Sequence, residues 1–352
     1  MDLRGVKLVC FMPCYDKAGT IAKAIESVLA QRADFAYKLI IIDDCSSDDS
    51  YQIASQFRKK HPREIILLKN SRNLGQLESM NQNAYPLLKG IPYFCVLDPD
   101  DYYIYDKKFA DAVAFLESHS NFSAYSANIE IEYIDGVCKK FYNGNAQIVD
   151  FDFESYKRGK VIFVQTSGSI FRNIYFYDGI SEDYKRAMKM PYAELFSADG
   201  FRNPWHLKGG KFRFVNRVES VWNYNYKGEW SSLPKCVQSL LNAELNLAFS
   251  DFFSKSDEQF FLREAKNIFD CAVVEFRQNR DLIAEHKDKI FEIFKETYMN
   301  PKLENLFKKP RIHRKNNLLE NIFSVRKSND KRHKIITIFG IKIRIKRKKS
   351  SA

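Results

Sequence analysis

"YFCVLDPDDYY", residues 93–103, sets an apolar run directly against Asp98, Asp100 and Asp101. The run reads as a buried strand, and three carboxylates crowded at its exit call for a compensating cation. Three earlier runs have the same form, "KLVCFM" (7–12), "KLIIID" (38–43) and "EIILLK" (64–69), and the four starts lie 26 to 31 residues apart. That spacing is roughly a strand plus a crossover helix. Between the first two runs Ile21, Ile25, Val28 and Leu29 recur at helical spacing. The gaps "SDDSYQIASQFRKKH" and "NLGQLESMNQNAYPLLKG" also admit helices. The alternation predicts an α/β fold with a mostly parallel, helix-covered sheet wound right-handed.

Such a sheet gathers function at the carboxyl ends of its strands. The four exits here are "PCYD" (13–16), "DDCSSDD" (43–49), "NSRNLG" (70–75) and "DPDD" (98–101). An acidic turn closing a strand is either a solvated loop or a seat for a hard cation such as Mg²⁺ or Mn²⁺, which takes carboxylates plus substrate phosphates. The further pair Asp43 and Asp44 at a neighbouring exit favours the second reading, a site for a nucleoside diphosphate.

Beyond a helix expected over 106–118 the pattern changes. "FSAYSANIEIEYIDGVCKKFYNG" alternates around Asp135-Gly136, a hairpin signal. "VIFVQTSGSIF" (161–171), a helix-compatible stretch near 192–207 and the strand-like "KFRFVNRVESVWNYNY" (211–226) make a second half of mixed pairing. From about 235 to 298 the chain reads helical, with Phe261, Ala265, Ile268, Phe269, Ala272, Val273 and Phe276 on one stripe. The expected organisation is a catalytic domain over 1–230 (halves 1–118 and 119–230), a helical region over 231–310 and a basic tail over 311–352.

The tail holds the charge imbalance. The chain carries 56 Lys and Arg against 44 Asp and Glu, net +12, and residues 311–352 supply fourteen of the bases but only two of the acids. The body is therefore neutral. "KRHKIITIFGIKIRIKRKKSSA" alternates Ile with Lys or Arg and lacks the groove-reading and aromatic elements of a nucleic-acid module, so no nucleic-acid partner is expected. It suits an anionic membrane surface, or a solvated tail. No stretch reaches the length of a membrane span and the opening residues lack a signal-peptide core, which predicts a cytoplasmic protein, peripheral at the inner face of the membrane. Seven scattered cysteines with no Cys-x-x-Cys pair read as reduced, mostly buried small hydrophobes rather than a metal site.

Together "MPCYDKAGTIAKAIESVLAQ", "IIIDDCSSDDS", "RNLGQLESMNQN" and "VLDPDD" resemble, in order and spacing over roughly residues 5–105, the inverting family 2 glycosyltransferases of the GT-A fold. The resemblance implies a GT-A domain with an appended helical region, a nucleotide-sugar donor, most simply a UDP-sugar, and a Mn²⁺ or Mg²⁺ cofactor. Pro13, Cys14, Tyr15 and Asp16 would wall the base pocket, Asp43 would hydrogen-bond the base, and Asn73 and Gly75 would lie beside the donor. Asp98 would meet the ribose or metal and Asp100 would be the main metal ligand. Asp101 has no assigned role and is left as a cap of the turn. Asp16 and Cys14 depart from the family's usual Asn and Thr.

Inversion needs a general base. The family's base lies about a dozen residues ahead of a turn and strand, which selects Asp199 in "SADGFRNPWHLKGGKFRFV", with Asp183 the alternative and Glu194 next. Trp222, Tyr224 and Trp230 are either strand residues or a sugar-stacking face, and Lys227–Ser232 a lid; His206 reads as a helix residue rather than a ligand. The implied acceptor is a hydroxyl of a surface glycan, capsule or lipooligosaccharide, possibly lipid-linked. The Gly-rich first loop of a nucleotidylyltransferase and the Gly-x-Gly-x-x-Gly of a dehydrogenase are both missing after the first strand. An inactive membrane-bound scaffold of the same fold is the non-enzyme alternative.

Overall fold

The structure is a computed structural model that describes residues 3–190, 199–224 and 230–278, together with the strands 323–327, 333–338 and 341–346; from residue 273 onward only the backbone is described. The chain divides into two compact units, Met1–Glu304 and Asn305–Ala352.

The first unit begins as the sequence predicts: β1 (Val6–Cys14), α1 (Ile21–Leu29), β2 (Ala36–Asp43), α2 (Ser50–Lys60), β3 (Ile65–Lys69), α3 (Gln76–Asn83) and β4 (Tyr93–Val96). The short β5 (Tyr102–Tyr103) and α4 (Lys108–Ser118) follow. The second half comprises β6 (Phe122–Tyr133), β7 (Cys138–Lys140), β8 (Ile148–Phe151), α5 (Phe153–Lys157), β9 (Ser169–Arg172), α6 (Glu182–Ala187), α7 (Asp199–Gly209) and β10 (Lys211–Tyr224). α8 (Lys235–Phe252) and α9 (Glu258–Gln278) close the described part.

One sheet runs in the order β3-β2-β1-β4-β9-β6-β10-β5, with β7 on β6 and β8 on β10. β3, β2, β1 and β4 are mutually parallel, and so are β6 and β10. The other pairings are antiparallel, so the sheet as a whole is mixed. The hairpin at Asp135-Gly136 joins β6 to β7, with Gly136 at φ +78°. Of "VIFVQTSGSIF" only Ser169 onward joins the sheet; Thr166–Gly168 is a 3-10 turn.

β1 is apolar on both faces because both are covered. Leu8, Cys10 and Met12 pack with Ile21, Ile25 and Val28 of α1, while Val9 and Phe11 join the opposite core. That second core also takes Phe201 and Trp205 of α7, Phe249 and Phe252 of α8 and Phe261 of α9. α8 and the start of α9 thus share a core with the sheet, through Phe249, Phe252 and Phe261, while the side chains of Val273 and Phe276 lie outside the described residues. No helix among the described residues is long and apolar enough to cross a membrane.

In the second unit β11 (Phe323–Lys327), β12 (His333–Ile338) and β13 (Ile341–Lys346) form an antiparallel sheet in that order. The alternation of β-branched Ile with Lys and Arg, read at first only as a basic surface, is a strand period. By register, Phe323, Val325, Ile336, Ile338, Ile341, Ile343 and Ile345 share one face with Lys327 and Lys334; Arg326, Lys342, Arg344 and Lys346 lie on the other.

Candidate donor and transfer site

The exits of the parallel strands lie level at one edge. Cys14 pairs with Asp43 and Asp43 with Lys69. Beyond them the Asp44 N–H donates to the Cys14 carbonyl at 2.8 Å, and the Leu97 N–H to the Phe11 carbonyl at 2.9 Å. Asp43 is 1% exposed; its Oδ2 accepts from the Ser46 N–H at 3.3 Å, and its Oδ1 has no partner among the described residues. A buried acceptor without a donor is costly unless a ligand N–H completes it. Tyr15 beside it stands 46% exposed, free to offer a ring face.

The remaining members of these loops hold the frame. Asp16, in the left-handed region at φ 50°, accepts from the Ser47 N–H at 2.7 Å and from its hydroxyl, locking the first exit to the second. Asp44 takes the N–H groups of Leu74 and Gly75 and the Asn70 amide at 2.7–2.9 Å. It is therefore a loop anchor, not a second free carboxylate. Asn73 and Gly75 are exposed, and Gly75 sits at φ +77°. The side chain of Cys14 is packed with the β1 core, where burial pushes its thiol up to about 12; it belongs to the core and not to a pocket wall.

A second cluster forms where β4 ends. The Asp98 Oδ2 accepts from the Gln165 amide at 3.2 Å. Burial, and then Asp100 and Asp199, push the Asp98 carboxyl up to about 7 against the opposing pull of Arg202 and Lys17. Asp100 meets the Lys17 ammonium at 2.5 Å. Asp101 is buried; its Oδ1 accepts from the Asn223 N–H at 3.1 Å while Oδ2 has no partner among the described residues. Burial, followed by Asp98 and Asp100, raises its carboxyl far above the usual range. Asp101 therefore ties the turn to β10, rather than capping a helix.

Asp199 opens α7, half-buried. Burial raises its carboxyl while Arg202 and the N–H groups at the helix start pull it down. Its charge acts on Asp98, which sets the two carboxyls near each other. Asp183 in α6 is exposed and paired with Arg186 at 3.4 Å. Glu194 and, of the expected lid, Lys227, Gly228 and Glu229 lie outside the described residues. His206 is buried in α7 with Nδ1 on the Arg202 carbonyl at 2.9 Å; burial pushes it down to about 3, a neutral core ring against Phe171. Trp222 and Tyr224 pack edge-to-face on each other on β10, while Trp230 is exposed.

Three residues beside these carboxylates are not marked by the sequence motifs. Lys17 directly follows the "PCYD" turn, Gln165 was hidden in an apparent strand, and Arg202 lies three residues after Asp199. Arg202 is 6% exposed and its Nε is unpartnered among the described residues. Among those residues no three His, Cys, Asp or Glu side chains are grouped to hold a metal on their own. Asp98 and Asp100 nevertheless suit a hard cation that draws one or two ligands from the protein and the rest from phosphate and water. Such a cation would relieve the repulsion from Asp100 that, after burial, raises the Asp98 carboxyl.

Residues 9–186 match the family model for glycosyl transferase family 2, and the chain belongs to that family. Its fold is of the GT-A type. An uncharacterized protein of Mycobacterium tuberculosis is 22% identical over 225 residues, 62% of this chain and 59% of that protein's length, so the match spans about three-fifths of the relative. The poly(ribitol-phosphate) beta-glucosyltransferase of Bacillus spizizenii is 28% identical over 98 residues, 28% of this chain and 15% of its own. Among solved structures, S. aureus TarS 1–349 in complex with UDP aligns over 97% of this chain and 99% of its own, with 14% identity and a TM-score of 0.47.

Proposed function

We propose that the chain is an inverting glycosyltransferase that moves a sugar from a nucleoside-diphosphate donor, a UDP-sugar, to a hydroxyl of a surface glycan. The observation that carries this reading is the unpartnered buried oxygen of Asp43 at the same sheet edge as the Asp98–Asp100 pair, in a chain of family 2. Asp43 accepts an imide N–H of the base, and Tyr15 covers it. Asp98 and Asp100 would hold Mn²⁺ or Mg²⁺ at the diphosphate, where the cation neutralises charge developing on the leaving group.

Asp199 takes the proton of the acceptor hydroxyl as its oxygen attacks the anomeric carbon. The bond to the diphosphate breaks with its electron pair, inverting the centre. Burial raises this carboxyl and so makes it a stronger base than a solvated one, while Arg202 opposes the shift. The similarity to a poly(ribitol-phosphate) glucosyltransferase supports a polymer as acceptor, which we take to be a surface glycan of the capsule or lipooligosaccharide kind. The basic tail, with its apolar sheet face, supports contact with an anionic membrane at about 1 kcal/mol per nearby base.

Thermal shift with a panel of nucleoside diphosphates, with and without Mn²⁺, tests the donor site. Stabilisation by a diphosphate that needs Mn²⁺ and disappears in Asp100→Ala is expected; no response to any diphosphate sinks the reading. Asp199→Asn should keep that shift and lower transfer by about 10²- to 10⁴-fold, whereas Asp183→Asn should stay within about threefold. The reverse pattern would move the base to Asp183.

A further inference from the structure

The cation that balances "DPDD" in this structure is supplied by the protein. Lys17 lies 83 residues from Asp100 in sequence, yet its ammonium sits 2.5 Å from Oδ2. Its backbone is fixed: the N–H donates to Ser50 Oγ at 2.7 Å, and the carbonyl accepts from the Thr20 and Ile21 N–H groups at 3.0 Å. The side chains of Lys17 and Asp100 are 32% and 24% exposed, so the pair is neither sealed in the core nor loose in solvent. The fields of Asp98 and Asp101 add to that of Asp100 at the ammonium.

We propose that Lys17 is a resident counter-ion that competes with the divalent cation for Asp100 and yields only when a diphosphate arrives. The inference rests on the donor-site reading above. An ammonium at hydrogen-bond distance from a carboxylate oxygen occupies the position that an inner-sphere metal ion would take, and two cations on one oxygen repel. The metal-competent state of the free protein is then the minor one, in which Lys17 has left Asp100, and apparent metal affinity falls by that fraction. A diphosphate offers the ammonium a second anion, which releases Asp100 to the metal. Metal and nucleotide therefore bind cooperatively, and by linkage each strengthens the other by the same factor.

The test is titration of Mn²⁺ into the full chain, with free Mn²⁺ read from its EPR signal, in the absence and presence of UDP. Without nucleotide, Lys17→Met and Lys17→Gln should bind Mn²⁺ about tenfold more tightly than the wild type, and the enhancement by UDP should shrink by a similar factor. Lys17→Arg, which keeps the charge, should retain the wild-type pattern. Unchanged or weaker Mn²⁺ binding by both neutral variants, while wild type still binds Mn²⁺ with UDP through Asp100, overturns the competition and leaves the donor site standing. If wild type takes up no Mn²⁺ even with UDP, or Asp100→Asn binds it equally well, the donor-site reading fails and the competition with it.

Discussion

Replacing Asp98 by asparagine should stabilise the protein, and increasingly so as pH rises. The Asp98 carboxyl moves from 3.8 to about 7 on folding, through burial and then the nearby charges of Asp100 and Asp199. Between those values the folded chain holds a proton that the unfolded chain has released. Native stability therefore falls as pH climbs from about 4 to about 7 and stays low above that. The full shift corresponds to about 4 kcal/mol; Asp98 keeps some contact with solvent, which screens the repulsion and brings the expected cost to about 1–2 kcal/mol. Asparagine has nearly the same shape and can still accept from the Gln165 amide, so the change isolates the charge. Urea unfolding of both proteins without metal should show little difference at pH 4.5 and a variant more stable by about 1–2 kcal/mol at pH 8. Saturating Mn²⁺ with the diphosphate should reverse the order, because only the wild type gains binding free energy there. A gap that does not change with pH, or an asparagine variant less stable at pH 8, would refute the reasoning.

What the sequence made legible follows from the range of the interactions involved. β1 to β4 were readable because a strand covered on both faces must be apolar at every position, and the carboxylates that follow such runs must lie at one edge by topology. That topology places Asp43 and Asp100 at one edge, while the roles proposed for them come from the family resemblance. Their immediate surroundings could not be read, because the partners arrive from other loops: Lys17 reaches Asp100 across 83 residues and Gln165 reaches Asp98 across 67. The distinction between Asp43 and Asp44 was equally hidden, since it depends on which carboxylate the Leu74 and Gly75 N–H groups meet. Cys14 resembled a pocket residue by its place in the motif, but strand alternation turns it with Met12 into the core. The basic tail looked like a charge pattern because its alternating Ile residues were weighed for charge rather than for period.

Two further substitutions probe how the frame supports the site. Gly75→Ala places no atom in contact, since a Cβ there meets nothing within 4 Å, yet φ +77° strains any L side chain. Stability should drop by about 1–2 kcal/mol in urea unfolding, and an unchanged midpoint would mean that the loop relaxes freely. Glu219→Gln is the more demanding case. Glu219 and Lys108 are fully buried and meet at 3.2 Å, and the other Glu219 oxygen accepts from Tyr125 at 2.9 Å and from Arg217 at 2.7 Å. Glutamine keeps one acceptor oxygen for the two sides the carboxylate served, and the Lys108 ammonium, still bonded to the Gly168 carbonyl at 3.0 Å, is left buried without its counter-charge. Breaking a buried pair in this way costs about 3–5 kcal/mol. Lys108→Met/Glu219→Gln, which removes both charges, should recover a large part of that loss. Gly168 closes the turn that presents Gln165 to Asp98, so the single variant should also weaken the Mn²⁺-dependent diphosphate shift, and the double variant should restore stability better than donor binding. Equal stability of Glu219→Gln and wild type would show that Lys108 reaches solvent at little cost, and that the turn carrying Gln165 is held by its backbone alone.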